Sequence, residues 1–241
     1  MVEKPALGFA WATRVLGFIT LAELLAALVI ILPTVSNKPL QSPRPLIDPE
    51  AFKDPAFMIF CLALFLMWVA HWVPFFLLPT FAELKAGASS TFAFYILVIC
   101  NASTIPGWFI AVPLCGKIGP ARAMATFALC SAALFFVWVG IKSVASTISW
   151  AVLTGVFMAP MAVVYPIIVP LLSPHKDVIG THMGISSAAA ALGTLAGFPI
   201  TSSLNDVREG VFWKSQVFNG SCMLLGGLLM IAVLYKMRQR V

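Results

Sequence analysis

Between Thr91 and Leu114 no residue carries a charge, and the run ends in the basic loop Gly116-Lys117-Ile118-Gly119-Pro120-Ala121-Arg122. A helix of that length, rising about 1.5 Å per residue, crosses a hydrocarbon core of about 30 Å with some tilt. Within it stand Asn101, Ser103, Thr104 and Pro106. Hydrocarbon tolerates such groups only where they face other helices or a water-filled path. The run predicts a membrane helix with an inside face.

The rest of the chain follows the same rule. It is 61% hydrophobic and 10% charged, with a mean hydropathy of +0.98, where soluble domains run at about 45–50% apolar and about 25% charged. Such composition excludes a water-soluble globule and implies the lipid bilayer as the surrounding medium. The net charge is +6, but the Lys and Arg residues are scattered singly between apolar runs, which argues for membrane orientation and against nucleic acid. Cys61, Cys100, Cys115, Cys130 and Cys222 lie in or at the ends of apolar runs without CxxC spacing, so packed thiols are expected and no metal site. No HExxH, GxSxG or phosphate-binding glycine loop is present; the chain reads as a non-enzyme without cofactors.

Seven spans are predicted, giving an all-α polytopic membrane helical bundle. They run roughly over Val15–Pro33, Ala56–Leu78, Ser90–Leu114, Ala123–Ile141, Ile148–Leu172, His182–Leu204 and Gln216–Tyr235. Residues 1–34 hold the first span, 35–55 form a proline- and charge-rich cytoplasmic linker, and 56–241 form a six-helix bundle. Pro160, Pro166 and Pro170 predict a fifth span that is bent or broken. Gly180 and Gly184, then Gly193 and Gly197, repeat at four-residue spacing and predict a small-residue face for close helix packing. With the C-terminus cytoplasmic, nine Lys and Arg fall on inner segments against six outside, the clearest being the tail Lys236 to Arg240. Of the two sequons, Asn101-Ala-Ser lies inside a span, leaving Asn219-Gly-Ser as the glycosylation candidate.

Four segments in order carry a family resemblance: WATRVLGFI at 11–19, PLIDPEAFKDPAFMIFCLALFL at 45–66, FAFYILVICNASTIPGW with GKIGP, and VIGTHMGISSAAAALGTLAGFPI at 178–200. With them the chain resembles the C-terminal half of major facilitator transporters of the monocarboxylate-transporter-like group, especially fungal members. The resemblance implies helices six to twelve of a twelve-helix carrier, with substrate bound between two halves near midplane. The implied activity is movement of a small organic solute, a monocarboxylate or a fungal secondary metabolite, across a membrane, the plasma membrane by expectation. A second chain would supply the other half. The alternative is a truncated, non-transporting protein that packs with a full-length carrier. Lactate-carrying relatives place an Asp and an Arg where this chain has Asn101 and Ile105, so proton-coupled symport by that pair is not expected. Many fungal relatives have an Arg where Trp108 stands, and Gly116-Lys117 replaces an Asp-Arg in the following loop.

The candidates for the solute path are Asn101, His71, Ser103 and Tyr165. A primary amide in hydrocarbon must find partners, so Asn101 contacts solute or bridges helices. His71 is either a proton-sensitive group on the path or an interfacial anchor beside Trp72. Tyr165 brings a hydroxyl between Pro160 and Pro166. His175-Lys176-Asp177 reads as a solvated loop.

Overall fold

The computed structural model describes residues 9–32 and 48–239. They fall into two compact units, 1–43 and 44–241. The first unit holds α1 (Phe9–Ile31), a mostly apolar helix whose charged residues are Arg14 and Glu23. Its Thr20 hydroxyl donates to the Leu16 carbonyl at 2.9 Å, which removes one polar group from competition with lipid, and the Arg14 guanidinium lies 5.2 Å from the Trp11 ring centroid. Most of the expected 35–55 linker lies outside the described residues; only its end, from Asp48 onward, is seen.

The second unit is helical throughout, with one isolated antiparallel bridge, Asp206 to Val211, among the described residues. Its helices are α2 (Pro55–His71), α3 (Val73–Leu84), α4 (Ser90–Ala102), α5 (Thr104–Ile118), α6 (Pro120–Trp138), α7 (Val144–Leu172), α8 (Ile179–Leu204) and α9 (Trp213–Arg238). Taken with α1, they make seven stretches long and apolar enough to cross a membrane: α2 with α3 form one, α4 with α5 another. Among the described residues the chain is all-helical and polytopic, with seven candidate spans, as its hydropathy predicts. Local chemistry sets the ends. Asp54 caps α2 by accepting the Ala56 N–H at 3.0 Å, ahead of Pro55 in the first turn. Ser143 and Ser146 form a reciprocal capping box on α7. Gly119, at φ +87, turns the chain from α5 into α6, a conformation that a side chain would oppose.

Proline does not act where its density is greatest. Spans two and three are each two helices, parted at Trp72 and at Ser103, whereas α7 runs unbroken through Pro160, Pro166 and Pro170. The expected break of that span is thus not found. At the first interruption Pro74 has no N–H to continue the ladder, and the Trp72 N–H turns to Ala70 O instead. At the second, Pro106 follows, and the Ser103 and Thr104 hydroxyls donate to Ile99 O (2.7 Å) and Asn101 O (2.7 Å). The two hydroxyls thereby find partners within the elbow itself and need none from water.

α2 is the central helix, packed along α8 and α9; α6 lies against α7 and α9, and the α4–α5 elbow lies on α7. Lipid is as apolar as leucine, so close backbone approach rather than water exclusion holds such helices together. The two glycine pairs of α8 differ in what surrounds them. Any Cβ at Gly193 or Gly197 would overlap the Phe65 or Val69 carbonyl of α2, but Gly180 and Gly184 face open space. Nine residues separate Gly184 from Gly193, two and a half turns. The two pairs point to opposite sides of α8, so they cannot share one packed face.

Candidate functional site

The two helix breaks place three of the four path candidates. His71 is the last residue of α2, Ser103 joins α4 to α5, and Asn101 lies one turn before Pro106. His71 is buried, at 2% exposure. Its ring stacks on Trp68 (5.1 Å, 13°) and meets Trp72 edge-on (5.0 Å, 87°). Its Nδ1 has no hydrogen-bond partner among the described residues, although a buried ring nitrogen left alone costs about 1–3 kcal/mol. Trp68 also takes the edge of Tyr165 at 5.2 Å, and the Tyr165 hydroxyl lies 3.4 Å from Ser187 Oγ of α8. His71 and Tyr165, 94 positions apart by their numbers, therefore flank a single indole.

Asn101 and Ser103 lie elsewhere, on the elbow. Asn101 is exposed; its amide donates to Leu97 O at 3.0 Å within its own helix. The interhelical hydrogen bond expected of it is not found. Ser103 is buried and seats the elbow on α7, where a Cβ at Gly155 would come within 2.8 Å of Ser103 Cβ. Gly107 of α5 is pressed in turn against the Val156 carbonyl of α7. Asn219, the glycosylation candidate, is fully buried in α9. Its amide donates to Thr201 Oγ1 (2.9 Å) and Ser215 O (2.7 Å). That amide is spent on joining α8 to α9, and the fold leaves a glycan no room there.

A second polar cluster escaped the sequence reading. Asp48, ahead of α2, Ser173, capping the end of α7, and His182, in the first turn of α8, meet at one end of the bundle. His182 Nε2 lies 3.1 Å from Asp48 Oδ2 and its Nδ1 lies 3.0 Å from Ser173 Oγ. The ring is 1% exposed and packs on Phe57 at 4.5 Å. The His182 hydrogen bond, joined by one from the Glu50 N–H, holds the Asp48 carboxyl below its ordinary range. An open cavity of about 430 Å³, lined by Asp48, Glu50, Lys53, Asp54 and His182 among others, reaches this cluster. The only advance signal was a histidine opening an otherwise apolar helix. Among the described residues no group of His, Cys, Asp and Glu is arranged to hold a metal ion.

No family model matches the chain, and no solved structure does. Individual proteins do. An aspyridones efflux protein of Emericella nidulans is 32% identical over 224 residues, 93% of this chain and 45% of that protein. An MFS-type transporter of the same organism is 31% identical over 224 residues, 92% of this chain and 50% of its own length. An agnestins efflux protein of Paecilomyces divaricatus is 26% identical over 238 residues, covering 95% of this chain and 52% of itself. The chain spans about half the length of the curated relatives it matches. Over 92–93% of its residues, this helical chain is similar in sequence to fungal proteins named as an efflux protein and an MFS-type transporter.

Proposed function

We propose that this chain is the C-terminal half of a monocarboxylate-porter-like major facilitator, contributing one wall of a path along which a small organic solute crosses the membrane. The observation that carries the reading is the coincidence of helix breaks with polar side chains: His71 closes α2 at one break and Ser103 bridges the other. Transporters bind solute where membrane helices are discontinuous, because the freed backbone groups and nearby side chains can turn toward the solute. Asn101 at the elbow, His71 and Tyr165 around Trp68, and Ser103 between α4 and α5 are the contacts proposed. The relatives' names, efflux proteins for aspyridones and for agnestins, support export of a secondary metabolite as the direction and cargo class, ahead of a simple monocarboxylate. Lys236 and Arg238 in the last turn of α9 support a cytoplasmic C-terminus in the plasma membrane. A second chain would complete the path.

The test is flux of a panel of monocarboxylates and small fungal metabolites in vesicles holding this chain, alone and with a major facilitator N-terminal half. Metabolite flux above empty vesicles, in either preparation, is the expected result. No flux in both, with the protein inserted and folded, would sink the transport reading and favour a non-transporting protein that packs with a complete carrier.

A further inference from the structure

The cluster of Asp48, Ser173 and His182 is used neither by the packing nor by the proposed path. Counting its protons shows what it can do. Ser173 Oγ lies 2.8 Å from Val169 O and 3.0 Å from His182 Nδ1, so its single hydrogen can be given to one or the other. If the hydroxyl donates to His182 Nδ1, a neutral ring donates its Nε2–H to Asp48 and every group is satisfied. If the hydroxyl turns to Val169 O, Nδ1 must carry a hydrogen to bond Ser173 Oγ, while Nε2 still needs one for the Asp48 carboxylate. That ring is the imidazolium. The third arrangement, a neutral ring with its hydrogen on Nδ1, sets the Nε2 lone pair against the carboxylate. Rotation of one hydroxyl therefore lets the ring accept or release a proton with no buried polar group stranded, and Val169 O keeps the Ser173 N–H at 3.0 Å in both states.

We propose that His182 is a proton-binding site whose occupancy sets how firmly the segment ahead of α2 is tied to the turn between α7 and α8. Protonation converts the Asp48 contact from a hydrogen bond between a neutral donor and a carboxylate into an ion pair, which strengthens it. The cavity beside Asp48 and His182 gives the proton its route from solution. The surrounding charges do not replace the pair. Glu50, Lys53 and Asp54 share the cavity, and Asp54 is occupied in capping α2. α2 itself presents the Phe57 ring, the last turn of α7 carries no titratable side chain, and His175, Lys176 and Asp177 before α8 are exposed. The tie connects the starts of spans two and six with the end of span five, so a proton here bears on three helices of the unit at once.

The full chain in nanodiscs tests this by hydrogen exchange of the amides from Glu50 to Phe57, scored against unstructured peptide at each pH, beside NMR of isotopically labelled histidine. Three histidines make the resonances assignable by single substitution. Protection is expected to rise about fivefold from about pH 8 to about pH 5.5, tracking the His182 resonance, and to lose this dependence in His182→Gln. Flat protection in the native chain, or a pH response that survives in His182→Gln, overturns the proposal. Should His182→Gln fail to fold, Asp48→Asn decides: protection must become flat while the His182 resonance still titrates, and an unchanged pH response refutes the tie.

Discussion

Gly197 of α8 meets the backbone carbonyl of Val69 in α2 so closely that no β-carbon fits between them. Both groups belong to backbones inside helices, so neither can swing aside as a side-chain tip would. Gly197→Ala is expected to force α8 from α2 and cost about 1–3 kcal/mol, as overpacking does elsewhere. Gly184→Ala, facing open space, should change stability by no more than about 0.5 kcal/mol. Thermal unfolding followed by the surviving size-exclusion peak compares them. Equal midpoints would show that α8 does not pack here.

Asn219 is expected to carry no glycan. Expression in a eukaryotic host followed by glycosidase digestion should leave the electrophoretic mobility unchanged; a shift lost in Asn219→Gln would contradict the buried position. Asn219→Ala should instead destabilise by about 1–3 kcal/mol, the cost of leaving the buried Thr201 hydroxyl without its partner across the α8–α9 seam.

Among the described residues Asn101 makes only local hydrogen bonds, so Asn101→Leu should leave abundance in the membrane unchanged. If Asn101 contacts solute, flux should fall by about tenfold, the cost of one lost polar contact. Reduced abundance with normal flux per molecule would mark it as a folding residue. His71→Phe keeps a ring against Trp68 and Trp72 while removing both ring nitrogens. It should likewise spare abundance and lower flux, whereas Trp68→Ala, which removes the indole shared with Tyr165, should lower both.

The lowered Asp48 carboxyl adds an acid-side signature. A carboxyl that titrates lower in the folded chain than in the unfolded one adds stability above its unfolded range and loses it as pH falls through its folded value. The stability advantage of the native chain over Asp48→Asn should therefore vanish below the ordinary carboxylate range. A gap that persists at that acidity would assign the effect to packing.

Hydropathy alone located the seven spans seen among the described residues, because the requirement for a predominantly apolar run about 20 residues long is local and bilayer thickness sets it. Family resemblance came from the same runs, read in order. Helical phase, also in the sequence, separates Gly180 and Gly184 from Gly193 and Gly197, although spacing within each pair hid it. Other features needed the folded chain. Whether a proline breaks a helix depends on its tertiary surroundings: α7 runs through three prolines, while two other spans part at Trp72 and Ser103. Asn219 is a glycosylation candidate by its sequon alone, and only the packing of α8 brings Thr201 against it. The Asp48–His182 contact joins residues 134 positions apart, and no periodicity in either segment encodes it. Span positions follow from each segment's own solvation, whereas polar partners follow from which spans the packed glycines bring together.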